Sequence, residues 1–182
     1  MPFTPIHMGP GLLIKSMLQG GFSLMVFGWA QIVMDIQPLV VLLRGHGHVH
    51  GFTHTLAGAT LLGVAAAVTG KYLAQWGLAL IGARALLPLR WPVAVASAFI
   101  GTYSHVALDA VMHADLLPFM PISAANPLLG SLSLLTLHQV CMVAGVIGSI
   151  LYFVVAAFVN DRREARTSRQ PVADRSGPSA SG

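Results

Sequence analysis

The sequence predicts an all-α membrane protein, and three observations support that fold class. The chain of 182 residues is 55% hydrophobic and only 9% charged, whereas soluble domains average about 25% charged residues. Its mean hydropathy is +0.73. Four stretches are apolar enough and long enough to cross a bilayer, which takes about 20 residues of helix. We therefore expect one membrane domain over residues 1–159, because a soluble core of this size cannot bury so much apolar surface.

The predicted helices follow one another with short connections. A short helix is expected over residues 12–19, after which Gly20 and Gly21 turn the chain into the first span. The spans are predicted at residues 20–43, 52–69, 91–112 and 131–159. Between the second and third spans, residues 72–89 contain Trp76, Arg84 and Pro88. These residues favour an interfacial or half-inserted helix over a fifth span.

The ends of the chain differ from the spans in composition. A cleavable signal peptide is not expected, because Pro2, Pro5 and Pro10 interrupt the first residues. Residues 160–182 lose the apolar character of the last span, so we predict a disordered basic tail there. The single cysteine, Cys141, provides neither a disulfide framework nor a thiolate metal cluster.

The distribution of basic residues predicts the orientation in the membrane. Five arginines cluster in the tail, and residues 71–90 carry further basic residues, whereas Arg44 stands alone on the opposite side of four spans. Because Lys and Arg prefer the cytoplasmic side, the tail and residues 71–90 should be cytoplasmic in an inner membrane. Loops 46–54 and 114–130 should face the periplasm or exterior. The pI of about 9.8 reflects these basic residues. Because their clustering is first a topology signal in a membrane protein, no nucleic-acid partner is expected.

Two aspartates lie within the predicted spans and indicate a metal site. An ionised carboxylate at membrane depth costs several kcal/mol unless it is paired or coordinating. Asp35 and Asp109 have no Lys or Arg near them in their spans, which favours a metal over a salt bridge. Asp35 precedes Arg44 by nine residues, which is roughly 13 Å of helix. That depth is compatible with His54 at the outer start of the second span.

Histidines at helical spacing add to this pattern. His105, Asp109 and His113 repeat every four residues and form one stripe on a helix, and His50 and His54 have the same spacing. Imidazole and carboxylate together suit zinc, manganese or iron, and the lack of thiolate argues against a purely structural zinc site. We predict one or two divalent ions near the outer end of the bundle, with zinc as the first candidate.

Several of these residues also have simpler interpretations. His138 suits an interhelical hydrogen bond better than metal ligation. The alternation of His46, His48 and His50 with glycines is equally compatible with a solvated flexible loop. Asp35 can cap or kink its helix, and Gln31 one turn earlier can be one more polar contact. The conjunction of histidines and aspartates at one depth in three spans nevertheless favours the metal site.

The order of the motifs resembles a known family. The matching pieces are Thr4-Pro5-Ile6-His7, Asp35, Gly51-Phe52-Thr53-His54-Thr55 and Ser104-His105-Val106-Ala107-Leu108-Asp109. Over roughly the first 110 residues they resemble the bacterial membrane-bound metal-dependent hydrolases, a family that includes a LexA-regulated inner-membrane protein. The resemblance implies a metal-dependent hydrolase whose ligands would be His7, Asp35, His54, His105 and Asp109.

The sequence departs from the family pattern at two positions. Gln37 stands where a second acid is common, and the histidine expected before Gly51 is displaced, so that either His50 or His48 takes its role or one metal is lost. A more distant likeness is to zinc-dependent phospholipase C, whose ligand order would extend to His113. The final His-x-x-x-Glu of that enzyme has no counterpart, because Met142 follows His138 by four residues. A site with three metals is therefore not expected.

The expected function is hydrolysis of an ester, in the first place a phosphoester, in a lipid or lipid-linked substrate. The membrane location alone suggests lipids as partners. Asp35 or Asp109 is the candidate general base, and His7, Asp35, His50, His54, His105, Asp109 and His113 are the candidate metal ligands. The alternative is a divalent-metal or proton transporter, or a metal-sensing membrane protein, although we find no inverted repeat of the kind that transport would favour. The substrate, the metal and the oligomeric state stay open.

His7 carries one further structural expectation. To reach the metal held by His105 and Asp109, the helix over residues 12–19 must be re-entrant, starting at the site and turning into the first span at Gly20 and Gly21. The alternative places His7 at the cytoplasmic interface, far from Asp109.

Overall fold

A computed structural model of the chain describes residues 6–168, which form helices joined by turns and loops with no strand among them. The α-helices are α1 (Met8–Leu18), α2 (Leu24–Arg44), α3 (Leu56–Leu80), α4 (Trp91–Met112) and α5 (Leu134–Ser168), and short 3-10 turns occupy Gln19–Gly21, Phe52–His54 and Arg84–Leu86. Four of the helices, α2 to α5, are long and apolar enough to cross a membrane. The predicted all-α membrane bundle is therefore confirmed.

Local sequence signals explain where the spans begin and end. The Ser23 hydroxyl accepts a hydrogen bond from the backbone of Val26 at the start of α2, and the Thr55 hydroxyl accepts one from Gly58 at the start of α3. Both are N-caps, which satisfy backbone N–H groups that a helix start leaves without an internal partner. At the other end of α2, Gly45 adopts a φ of +72°, the left-handed conformation that glycine permits at helix ends.

Helices α2, α3 and α4 pack closely through small side chains. Ala30, Ala66, Ala94 and Ala98 are buried in their common core, and a Cβ added at Gly101 would meet Ala30. Small residues let helix backbones approach in a membrane, where dispersion contacts rather than water exclusion hold helices together. This three-helix unit gives a rigid frame for the side chains at its end.

The short helix α1 packs mainly against α5 rather than against the three-helix unit. Glycines make this contact possible, because a Cβ at Gly9 would overlap the Cys141 carbonyl and one at Gly148 would overlap the backbone of Leu13. With 11 residues, α1 is about 16 Å long, roughly half the length of a span. It begins at one end of the bundle and turns directly into α2.

Two of the predicted helices need correction. The short helix begins at Met8 rather than residue 12, because Pro10 is tolerated in a first helical turn. The prediction of a separate interfacial helix over residues 72–89 was wrong. Residues 72–80 continue α3, because this stretch contains no proline and Lys71 bonds to Gln75 within the helix. The chain leaves α3 only near Gly82, whose φ is +75°, so Arg84 lies in a turn.

The last helix is longer than predicted. α5 runs to Ser168, nine residues past the predicted end of the span, since the sequence from Asn160 to Ser168 contains no glycine or proline to stop it. The first part of the predicted disordered tail is therefore helical. The rest of that tail, residues 169–182, lies outside the described residues, as do Thr4 and Pro5 of the first motif.

Candidate metal centre

The candidate site lies where α1 begins, α4 ends and the Phe52–His54 turn leads into α3. His7 stands directly before α1, His54 closes the turn, and His105 and Asp109 lie one turn apart on α4. These four residues are buried, and each is at most 5% exposed as a whole residue. Asp35 approaches them from α2. Elements far apart in the sequence thus bring five of the predicted ligands to one buried point.

The Asp109 carboxylate is the centre of the cluster. The Nε2 atoms of His54 and His105 lie 3.7 and 3.3 Å from Oδ2 of Asp109, and Nε2 of His7 lies 3.6 Å from its Oδ1. Nε2 of His105 also lies 3.4 Å from Oδ1 of Asp35. Ligand atoms about 2 Å from one tetrahedral zinc stand roughly 3.4 Å apart. The spacing of these atoms therefore matches a shared ion.

Three groups of His and Asp side chains among the described residues have the spacing of metal ligands. Within each group, donor atoms of all three residues lie within 4.8 Å of one another. The groups are His7, His105 and Asp109; then Asp35, His54 and His105; then His50, Asp109 and His113. Every predicted ligand falls into at least one of them. The second and third groups share no residue, so the geometry provides separate ligands for two ions.

Several buried imidazole nitrogens lack a hydrogen-bond partner within the described part of the chain. They are Nδ1 of His7 and the Nε2 atoms of His54, His105 and His138. A buried polar atom without a partner costs free energy, and native proteins rarely leave one so. A metal ion bound to Nε2 of His54 and of His105 would remove that cost at these two atoms, which face the carboxylates.

The orientation of His105 is set by Gln31 on α2. The Gln31 amide nitrogen donates to the Gly101 carbonyl at 3.1 Å and points to the Ser104 hydroxyl at 3.4 Å. Its oxygen must therefore be the acceptor for Nδ1 of His105, at 2.7 Å. Donation from Nδ1 leaves the lone pair on Nε2, the atom that faces Asp35 and Asp109.

A second chain of hydrogen bonds orients His54. The Thr53 hydroxyl donates to the amide oxygen of Gln37. Having used its only proton, that hydroxyl accepts from Nδ1 of His54 at 3.0 Å. The lone pair of His54 is again on Nε2, facing Asp109. Gln37, which stands in place of an expected acid, thus contacts the site through Thr53.

The third group, His50, Asp109 and His113, is called the outer group here, and one of its histidines also has a residue that orients it. Nδ1 of His50 lies 2.9 Å from a carboxylate oxygen of Asp115, and the His50 and His113 rings lie 4.2 Å apart between centroids. A carboxylate that fixes a histidine through one ring nitrogen leaves the other for a metal. Of the two candidates His48 and His50, His50 belongs to one of the groups, whereas His48 is exposed and belongs to none of them.

Burial keeps two of the histidines neutral. Removal from water lowers the pKa of His7 to about 4, with repulsion from His105 in the same direction, and the pKa of His54 is lowered to about 4 for the same reasons. Neutral imidazole is the form that binds metals. Both residues are therefore ready to bind an ion at neutral pH.

Other histidines lie outside the three groups. His46 is exposed. His138 on α5 lies near enough to His7 to interact electrostatically, but its buried Nε2 makes no hydrogen bond with any described residue. The interhelical hydrogen bond predicted for His138 is not seen at that atom.

Sequence reasoning missed three residues that orient the histidines. Gln31 was interpreted only as a polar contact, and Thr53 and Asp115 were given no role. A weak signal existed for each: Gln31 precedes Asp35 by one helical turn, Thr53 adjoins His54, and Asp115 follows His113 by two residues. None of these spacings indicates which histidine is the partner.

Comparison of the chain with protein-family models, with curated proteins and with solved structures finds no match. The resemblance to membrane-bound metal-dependent hydrolases therefore stays a prediction that rests on the motifs.

Proposed function

We propose that the protein is a membrane-embedded metal-dependent hydrolase that cleaves an ester, in the first place a phosphoester, of a lipid or lipid-linked substrate. The observation that supports it most is the buried cluster around Asp109, in which Nε2 of His54 and of His105 face carboxylates without hydrogen-bond partners among the described residues. Mixed imidazole and carboxylate ligands suit zinc, with manganese or iron as alternatives.

The two aspartates differ in exposure, which suggests different roles. The Asp109 side chain is 7% exposed and is surrounded by three histidines, whereas the Asp35 side chain is 35% exposed. We assign Asp109 to metal ligation. Asp35 is the candidate to accept the proton of the attacking water through a carboxylate oxygen that does not bind metal, since a general base must be reachable from the substrate. The bound metal would supply a Lewis acid and lower the pKa of that water.

The orientation in the membrane is part of the proposal. Among the described residues, Lys15 near the end of α1 and Arg84 and Arg90 before α4 lie away from the candidate site. Arg44 at the end of α2 lies on the same side of the bundle as the site. By the positive-inside rule, the site faces the periplasm or exterior of a bacterial inner membrane. In that orientation α1 is re-entrant, reaching inward from the site for half the bilayer.

The test combines metal analysis with a substrate panel. Purified protein should contain one or two divalent ions and hydrolyse at least one ester of a panel of phosphoesters and carboxylic esters. His105→Ala and Asp109→Asn should each lower metal content and reduce hydrolysis at least 100-fold, whereas His46→Ala, which changes an exposed histidine outside the groups, should behave as the unaltered protein. Metal flux into vesicles without hydrolysis would favour the transporter alternative.

A further inference from the structure

A cavity of about 450 Å³ opens beside the outer group of the candidate site. Its walls come from residues 48–55 and from residues 115–121. The backbone N–H of Leu56, directly after the first segment, donates to the carbonyl of Pro118 in the second at 2.8 Å. The lining combines two chemistries. His50 and Asp115 are polar and ionisable, whereas Phe52, Leu117 and Met120 are apolar.

The cavity is continuous with the candidate metal centre. His50 lines the cavity and also belongs to the group with Asp109 and His113. A molecule in the cavity can therefore place one end at that group while its remainder contacts the apolar wall. Two other cavities of similar size, one along α1 and α5 and one along α2 and α3, contain no residue of the candidate site in their linings.

The position in the fold indicates which molecules reach the cavity. It lies at the start of α3 and just beyond the end of α4, where two apolar spans finish. An amphiphile in the bilayer has its polar head at this depth and its chain directed along the spans. A ligand with an anionic head and an apolar chain matches the two chemistries of the lining.

We propose that this cavity holds the first carbons of the apolar chain of a phosphoester amphiphile and makes the enzyme selective for substrates that carry such a chain. The inference rests on the hydrolase function proposed above, which provides the binding point of the head group. Phe52, Leu117 and Met120 would then determine specificity, and they take no part in bond cleavage.

The test measures binding of two soluble probes, methylphosphonate and hexylphosphonate, to the zinc-loaded protein. The unaltered protein should bind hexylphosphonate at least tenfold more tightly, because burial of methylene groups is favourable. Met120→Trp, which fills the cavity, should remove this preference and leave methylphosphonate affinity unchanged. Phe52→Ala should reduce the preference by removing part of the wall. Ile122→Trp is the matched control, since Ile122 is in the same loop but 95% exposed.

Equal affinities for the two probes, no binding of either probe by zinc-loaded protein, or a preference that survives Met120→Trp would overturn the inference. Failure to bind zinc would instead contradict the proposed function. The cavity is then tested without metal by binding of 1-hexanol, which has no anionic group. If 1-hexanol binds the unaltered protein no more tightly than it binds Met120→Trp, the inference is overturned in that case too.

Discussion

Gln31 on α2 orients His105 in the candidate site through its hydrogen bonds. Its amide donates to α4 and accepts from Nδ1 of His105, so it determines which nitrogen of that imidazole faces the aspartates. Gln31→Leu keeps a similar volume but removes the acceptor. We expect zinc affinity to fall roughly 10- to 100-fold, the usual effect of losing a residue that orients a ligand.

Competition with a chelator measures that affinity. Thr69→Val is a suitable control, because it removes a hydrogen bond between α2 and α3 to Trp29, away from the candidate site. An unchanged zinc affinity in Gln31→Leu, with the fold intact, would mean that His105 does not need this partner.

The buried histidines predict how the metal-free protein responds to acid. His7 and His54 have pKa values of about 4 in the fold against 6.5 in an unfolded chain. Below pH 6.5 the unfolded state takes up protons that the folded state does not, so stability is full above pH 6.5 and is lost as the pH falls toward 4. The loss is on the order of 3 kcal/mol for each histidine.

Thermal unfolding of the metal-free protein in detergent between pH 7 and 4 measures this loss. The midpoint should fall across that interval, and replacing both His7 and His54 by Gln should flatten the dependence. A midpoint that rises on acidification would contradict the burial of neutral imidazoles.

The sequence was informative about ligands and uninformative about their partners. His105, Asp109 and His113 share one helix face by their spacing alone, because that spacing is a property of the helix itself. The bond between Gln31 and His105 depends instead on how α2 and α4 are rotated about their axes, and these helices approach closely where Ala30 faces Gly101. Short local periodicities do not contain that information.

At the scale of elements, α1 depends on glycine contacts with α5. A methyl group at Gly9 would overlap the carbonyl of Cys141, so Gly9→Ala should push α1 away and move His7 with it. We expect a destabilisation of about 1 to 3 kcal/mol together with weaker zinc binding. Gly20→Ala is the control, because a Cβ there meets no atom within 4 Å.

Denaturation and zinc titration of both variants would test this dependence. If Gly9→Ala kept the zinc affinity of the unaltered protein while losing stability, His7 would not be a ligand.

The length of α3 shows where hydropathy misleads. The span was predicted to end at residue 69, but the helix continues through Lys71 to Leu80. The Lys71 ammonium bonds to Gln75 one turn later and lies 5.0 Å from the centroid of the Trp91 ring. These contacts let a lysine stay buried in a helix without ending it. A hydropathy profile records the charge and not its partners.

At the scale of the whole molecule, orientation is testable by labelling. Single cysteines introduced at His46 and Arg84, with Cys141 replaced by Ser, report the two ends of the bundle. A membrane-impermeant thiol reagent added outside the cell should label position 46 and leave position 84 unlabelled, since basic residues gather at the second end. Labelling of position 84 from outside would place the candidate site in the cytoplasm.

The partnership of the first and last helices has a consequence for biogenesis. Among the described helices α1 is synthesised before the others and its main contact, α5, after them, so we expect His7 to join the other ligands only once α5 has been made. Chains that lack α5 would then not form the complete metal centre. A chain that ends at residue 130 should bind zinc as weakly as His7→Ala, and tighter binding would show that α1 docks without α5.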